Sequence, residues 1–361
     1  MTDLRSSCPL PLTERKKTYS NCFAAAGELF SLASHAAGGE VIRNFNIGGF
    51  TIQLRFAGAA LVSKITPALE HLSAPEDGPV DLEVRIFDSI STGVEMPGIP
   101  WEVSGHPVTG EIWSYDDGDL AIIFQPANST VSMLSRSGNR AVYWVRDAEK
   151  VPYHDRGSPL RMILERWMRS RGFQVVHSGA VGYPRGGVLL AGRGGSGKST
   201  TTLACIGSGL SYAADDYCLL SGDPEPQVFS LYNTGKLNEA DIDRFPLLRP
   251  ALSNTSEFAG EKALYFFYRH FPDRIAAGFP VRAILIPEIT HRTGSGLTRV
   301  SPSRGFLALA PTTVFQLPGP AQEEVNRSLS AFVRSVPNYI LELGTNIDLI
   351  PGVISELLNS L

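Results

Sequence analysis

Residues 192–199 read Gly192-Arg193-Gly194-Gly195-Ser196-Gly197-Lys198-Ser199, a complete G-x-x-x-x-G-K-[ST] string. Before it stands the apolar run Gly186-Gly187-Val188-Leu189-Leu190-Ala191. After it stands Thr200-Thr201-Thr202-Leu203-Ala204-Cys205-Ile206, a plausible helix start. A buried strand feeding a glycine-rich turn that opens a helix commits this part of the chain to an α/β arrangement. The glycines let the backbone curl until successive N–H groups point inward, and the helix adds the positive end of its dipole. The expected ligand is therefore a nucleotide held by its phosphates. Gly192, Arg193, Gly194, Gly195, Ser196, Gly197, Lys198, Ser199 and Thr200 are its candidate contacts. Lys198 would reach the β- and γ-phosphates, and the Ser199 hydroxyl would sit on Mg²⁺.

The 361 residues are enough for two domains with a sizeable core. A net charge of −4 gives no basic excess for nucleic acid or an anionic membrane. Apolar runs are strand-sized, so no membrane span is expected. Residues 1–20 lack an apolar h-region, so no secretory leader is expected. Cys8, Cys22, Cys205 and Cys218 form no metal-ligand spacing. Cys205 and Cys218 read as core fillers, and the whole reads as a protein of the reducing cytoplasm.

Residues 1–155 carry alternating stretches at 50–56, 80–87, 120–124 and 141–145. Period-two alternation predicts strands with one face in water, hence a smaller, mainly antiparallel β domain. Asp116-Asp117-Gly118-Asp119 predicts a hairpin turn. Ser158 followed by Pro159 predicts a helix start, with apolar residues at 160, 163, 164, 167 and 168 and a stop at Gly172. Beyond it strands alternate with helices, and residues 322–335 and 351–361 read as helical around a strand at 339–343. The expected domains are 1–155 and 156–361, the second an α/β nucleotide-binding domain.

Three further positions carry chemistry. Asp215 and Asp216 end the apolar strand Tyr212-Ala213-Ala214, and His177 ends the short strand at Val175-Val176. An acid at a strand end beside a phosphate loop is where Mg²⁺ or a nucleophile's proton is handled. Read alone, a lone histidine such as His177 is more often a structural hydrogen bonder than a catalytic group.

His-Ser-Gly-Ala-Val-Gly at 177–182, the loop at 192–199 and Ala-Asp-Asp at 214–216 together resemble the catalytic domain of HPr kinase/phosphorylase. That resemblance implies the fold shared with phosphoenolpyruvate carboxykinase, and ATP and Mg²⁺ as cofactors. The chain departs from the family downstream, since it has no Glu-x-Arg-Gly-Leu/Ile-Gly string. Its layout there, with Leu231–Leu237, Glu261-Lys262-Ala263-Leu264 and 307–318, is similar to the HPr-kinase-like kinases of lasso-peptide gene clusters. Those modify a terminal serine of a ribosomal precursor peptide.

By this resemblance Asp215 would be the general base, Asp216 would support Mg²⁺ or orient Asp215, and His177 would lie beside the γ-phosphate. Two adjacent carboxylates also repel, which raises one of their pKa values towards a useful base. Lys236 and Lys262, more weakly Arg193 and Arg304, are candidate cations for transition-state charge. The implied partner is a precursor peptide, with a homo-oligomer also open. The rival readings are a kinase of another protein or small hydroxyl compound, and a non-catalytic nucleotide-gated binding protein. The first domain either holds the peptide by edge-strand addition, or only buttresses the kinase or mediates dimerisation.

Overall fold

The computed structural model describes residues 12–99, 112–254, 262–314 and 322–361. Cys8, Glu261 and residues 315–318, quoted above, lie outside these ranges. The chain forms two compact units, Met1–Pro67 with Leu72–Ser170, and Ala68–His71 with Arg171–Leu361. Both mix helices and sheets. No described helix is long and apolar enough to cross a membrane.

The first unit holds helices α1 (Leu12–Ala36), α2 (Val62–Ile65), α3 (Ser89–Thr92), α4 (Tyr153–Gly157) and α5 (Arg161–Arg169). Its strands are β1 (Glu40–Ile47), β2 (Phe50–Ala57), β3 (Ser73–Ala74), β4 (Leu82–Asp88), β5 (Trp113–Asp116), β6 (Leu120–Gln125), β7 (Thr130–Ser135) and β8 (Arg140–Val145). They form one sheet in the order β3-β1-β2-β4-β8-β7-β6-β5. Neighbours are antiparallel except β2–β4 and β4–β8, which are parallel. The turn expected at Asp116–Asp119 joins β5 to β6, with the Asp117 carboxylate accepting from the N–H groups of Asp119 and Leu120.

The expectation of one wet face fails for β6 and β8, which are buried on both sides, as is β7 between them. Ala26, Phe30 and Ala33 of α1 pack on one face, and α5 lies on β7. The alternating pattern cannot report this, because the second cover comes from a helix later in the chain. Hence α5 belongs to the first unit, and the contact boundary lies at Ser170/Arg171 where the sequence suggested 155/156. That helix also starts later than expected. Ser158 donates its hydroxyl back to the His154 carbonyl at 3.0 Å, Leu160 takes φ +56°, and α5 begins at Arg161.

The second unit contains β9 (Gln174–Val176), β10 (Gly179–Tyr183), β11 (Gly186–Leu190), β12 (Ser211–Ala214), β13 (Cys218–Ser221), β14 (Gln227–Ser230), β15 (Thr234–Leu237), β16 (Ala263–Phe266), β17 (Gly278–Ile289), β18 (Gly296–Val300) and β19 (Asn338–Leu343). Its helices are α6 (Lys198–Ile206), α7 (Pro302–Val314), α8 (Gln322–Ser335) and α9 (Ile350–Ser360). The main sheet runs β12-β10-β11-β17-β14-β13-β9, with β19 on the far half of β17 and β18 beyond it. β11, β17 and β19 are parallel, so their carboxyl ends open on one side of the sheet. Leu309 of α7 and Val325, Leu329 and Phe332 of α8 cover one face. Cys205 of α6 and Ile350, Ile354 and Leu357 of α9 cover the other. Strands β15 and β16 form a separate two-stranded ribbon packed on α6 through Leu203, Leu237, Tyr265 and Phe267.

Candidate active site

The 192–199 loop connects β11 to α6, as its sequence context requires. Gly197 sits at φ +104°, where a Cβ would lie 2.3 Å from Leu343 Cδ1 of β19. Glycine is needed there for both backbone and space. A Cβ on Gly192 would fall 2.7 Å from Ser196 Oγ. Lys198 is buried and turns back on the loop, donating from Nζ to the carbonyls of Gly192 at 2.6 Å and Arg193 at 3.2 Å. Burial pushes its ammonium pKa down; Asp215 and Asp216 oppose this, while Lys262 adds to it. Ser196 Oγ and Thr201 Oγ1 are buried without a hydrogen-bond partner. Curled backbone, a self-bound lysine and orphan hydroxyls fit a cradle made for an anion. Thr200 lies in the first turn of α6.

β12 delivers Asp215 and Asp216 beside this loop, and the structure separates the two. Asp215 is 3% exposed and both its oxygens are engaged: Oδ1 accepts from Thr202 Oγ1 at 2.8 Å and Oδ2 from the Lys236 N–H at 3.0 Å. Burial raises its pKa, with further upward pressure from Asp216. The Lys236 N–H and the hydroxyls of Thr202 and Ser199 pull the other way. Asp216 retains 23% side-chain exposure. Its Oδ1 lies 2.7 Å from His177 Nε2 and its Oδ2 2.8 Å from Lys236 Nζ. Burial works against its charge, but Lys236 and His177 outweigh it and hold the carboxyl well below the usual range.

His177 follows β9. Its N–H donates to Thr313 Oγ1 of α7 at 3.4 Å, its ring lies 5.3 Å from that of Tyr217, and its Nδ1 is buried without a hydrogen-bond partner. The structure thus gathers Lys198, Ser199, Asp215, Asp216, His177 and Lys236. Lys262 immediately precedes β16, and its charge is felt at Lys198. Arg304 instead pairs with Glu288 at 2.9 Å, on the β17 side of the loop. Thr202 was not singled out in the sequence. Its spacing of one helical turn from Lys198 is the signal that could have found it.

Among the described residues no group of three or more His, Cys, Asp or Glu could hold a metal ion. The Ser199 hydroxyl and the Asp215 carboxylate beside it are oxygen donors of the kind that would hold Mg²⁺.

No family model and no curated protein sequence matches the chain. Among solved structures it is similar to the HPr(Ser) kinase/phosphatase from Coxiella burnetii. The two are 12% identical, the likeness covers 52% of this chain and 97% of that one, and the TM-score is 0.28.

Proposed function

We propose that the second unit is an ATP-dependent kinase that phosphorylates a serine hydroxyl, and that its acceptor is a ribosomal precursor peptide of the lasso type. The observation that carries the kinase reading is the convergence on one phosphate loop of Lys198, an ionised Asp216 and a second cation, Lys236. The peptide rests on the resemblance of the whole-chain layout to the lasso-cluster kinases.

Phosphoryl transfer asks for positioning and charge neutralisation more than covalent help. The loop N–H groups and Lys198 hold the phosphates once Lys198 leaves its own carbonyls. The acceptor oxygen bonds to the γ-phosphorus as the bond to the β–γ bridging oxygen breaks, releasing ADP. The acceptor proton passes to a carboxylate. Asp216 suits this better than Asp215, because it faces solvent, stays ionised and is oriented by His177. Asp215, locked between Thr202, Ser199 and the Lys236 N–H, suits the support of Ser199 and Mg²⁺. Mg²⁺, when bound with the nucleotide, neutralises phosphate charge.

The test is incubation with ATP, Mg²⁺ and synthetic peptides ending in serine, read by intact mass. Asp216→Asn should lower single-turnover transfer by about 10²–10⁴-fold with ATP binding retained. Lys198→Ala should lose both transfer and tight binding. If Asp216→Asn transfers normally while Asp215→Asn does not, the two roles revert to the order the resemblance implied. ATP binding without transfer to any hydroxyl would leave a nucleotide-gated binding protein.

A further inference from the structure

On the opposite flank of the loop lies a cavity of about 570 Å³, within the usual range of about 300–1,000 Å³ for small-molecule sites. We propose that it takes the nucleoside half of the nucleotide, with Ile289 and Leu307 as the apolar jaws on the base; this rests on the phosphate-loop reading above.

The sheet order decides which end of the ligand goes where. β11, which feeds the loop, has β10 on one side and β17 on the other. Asp215 and Asp216 leave β12, beyond β10, so the transferable phosphate belongs on that flank. The cavity is on the β17 flank. Among the described residues it is bounded by Gly192, Arg193 and Ser196 of the loop, by Pro287 and Ile289 at the carboxyl end of β17, and by Leu307 of α7. A triphosphate laid along the loop with its γ end at the acids must therefore project its sugar and base here.

The chemistry of the walls agrees. Leu307 and Ile289 are each 65% exposed, although each flanks a loop built for a ligand. Large apolar groups left open on two sides of one cleft suit a planar ring between them. Arg193 and the Arg304–Glu288 pair supply charge at the edges, where the ribose and the inner phosphates would pass. The orphan hydroxyl of Ser196, at the loop wall, is available to the same inner phosphates.

The experiment compares two probes on the full-length chain in Mg²⁺: ATP, which would use both loop and cavity, and inorganic tripolyphosphate, which fills only the loop. Leu307→Gln and Ile289→Gln, singly and together, are titrated calorimetrically. The expected result is ATP binding weakened by about tenfold or more for the double variant, with tripolyphosphate affinity unchanged. Unchanged ATP affinity, or equal weakening of both probes, overturns the nucleoside site. Failure of the wild-type protein to bind either probe instead overturns the phosphate-loop reading, and this inference with it.

Discussion

The contact between Gly197 and Leu343 yields a prediction that separates two costs. In Gly197→Ala the new residue must sit at φ +104°, outside the comfortable region for an L side chain, which costs about 1–2 kcal/mol. Its Cβ also lands 2.3 Å from Leu343 Cδ1, a clash that a packed interior relieves at about 1–3 kcal/mol. The single variant should therefore lose about 2–5 kcal/mol. Leu343→Ala, from a side chain 4% exposed, should lose a similar amount by opening a cavity. In the double variant the new methyl occupies space that Leu343 vacated, so the clash disappears while the backbone cost remains. The losses should then be sub-additive by about 1–3 kcal/mol. Urea denaturation of the four proteins measures this, and ATP titration of the folded forms shows whether the loop survives. Additivity within about 0.5 kcal/mol would refute the claim that Leu343 fills the space a Cβ at position 197 would need.

Other outcomes follow from the buried titratable groups. His71 Nδ1 lies 3.4 Å from Asn233 Nδ2, its Nε2 lies 2.7 Å from Ser230 Oγ, and burial lowers its pKa to about 3. A histidine held neutral in the fold protects it above an unfolded pKa of about 6.5. That protection is lost as pH falls toward 3, by about 2 kcal/mol at pH 5 and less where solvent reaches the ring. Urea midpoints at pH 7.5 and 5 should converge in His71→Gln; an unchanged gap would show that His71 is not responsible. Asp216 acts in the same direction at lower pH. Its depressed pKa contributes stability present above about pH 4 and lost below it, so Asp216→Asn should flatten the acid limb of stability against pH. A limb of unchanged slope would contradict the assignment. Thr202→Val removes the donor to Asp215 Oδ1 inside the core and should cost about 1–3 kcal/mol in urea melts, with Thr202→Ser recovering most of it.

The parts of this protein legible in its sequence are those encoded by neighbours in the chain. The glycine-rich loop at 192–199, the strand before it and the helix after it are contiguous, and their order follows from spacing. The helices at 322–335 and 350–360 likewise carry their apolar faces in their own residues. What the pattern missed depends on partners distant in sequence. Full burial of β6, β7 and β8 needs α5, which lies beyond them all. Lys236 reads as one cation in a turn-rich stretch until the ribbon it belongs to brings its N–H to one aspartate and its ammonium to the other.

The acidic pair shows where the limit lies. Repulsion between adjacent carboxylates predicts one raised pKa, and on that ground the raised member becomes the base. Repulsion alone does not say which member that is. Side chains of consecutive residues leaving a strand point to opposite sides, so Asp215 turns into the core against α6 and Asp216 turns out toward His177 and the Lys236 ammonium. Asp215 is therefore the member pushed up, but by burial first, in a place where its oxygens are already occupied. Asp216 has both oxygens engaged as well, by His177 and the Lys236 ammonium, but keeps more exposure than Asp215. On the proposed reading, greater exposure and a retained charge favour Asp216 for the role that the resemblance implied for Asp215.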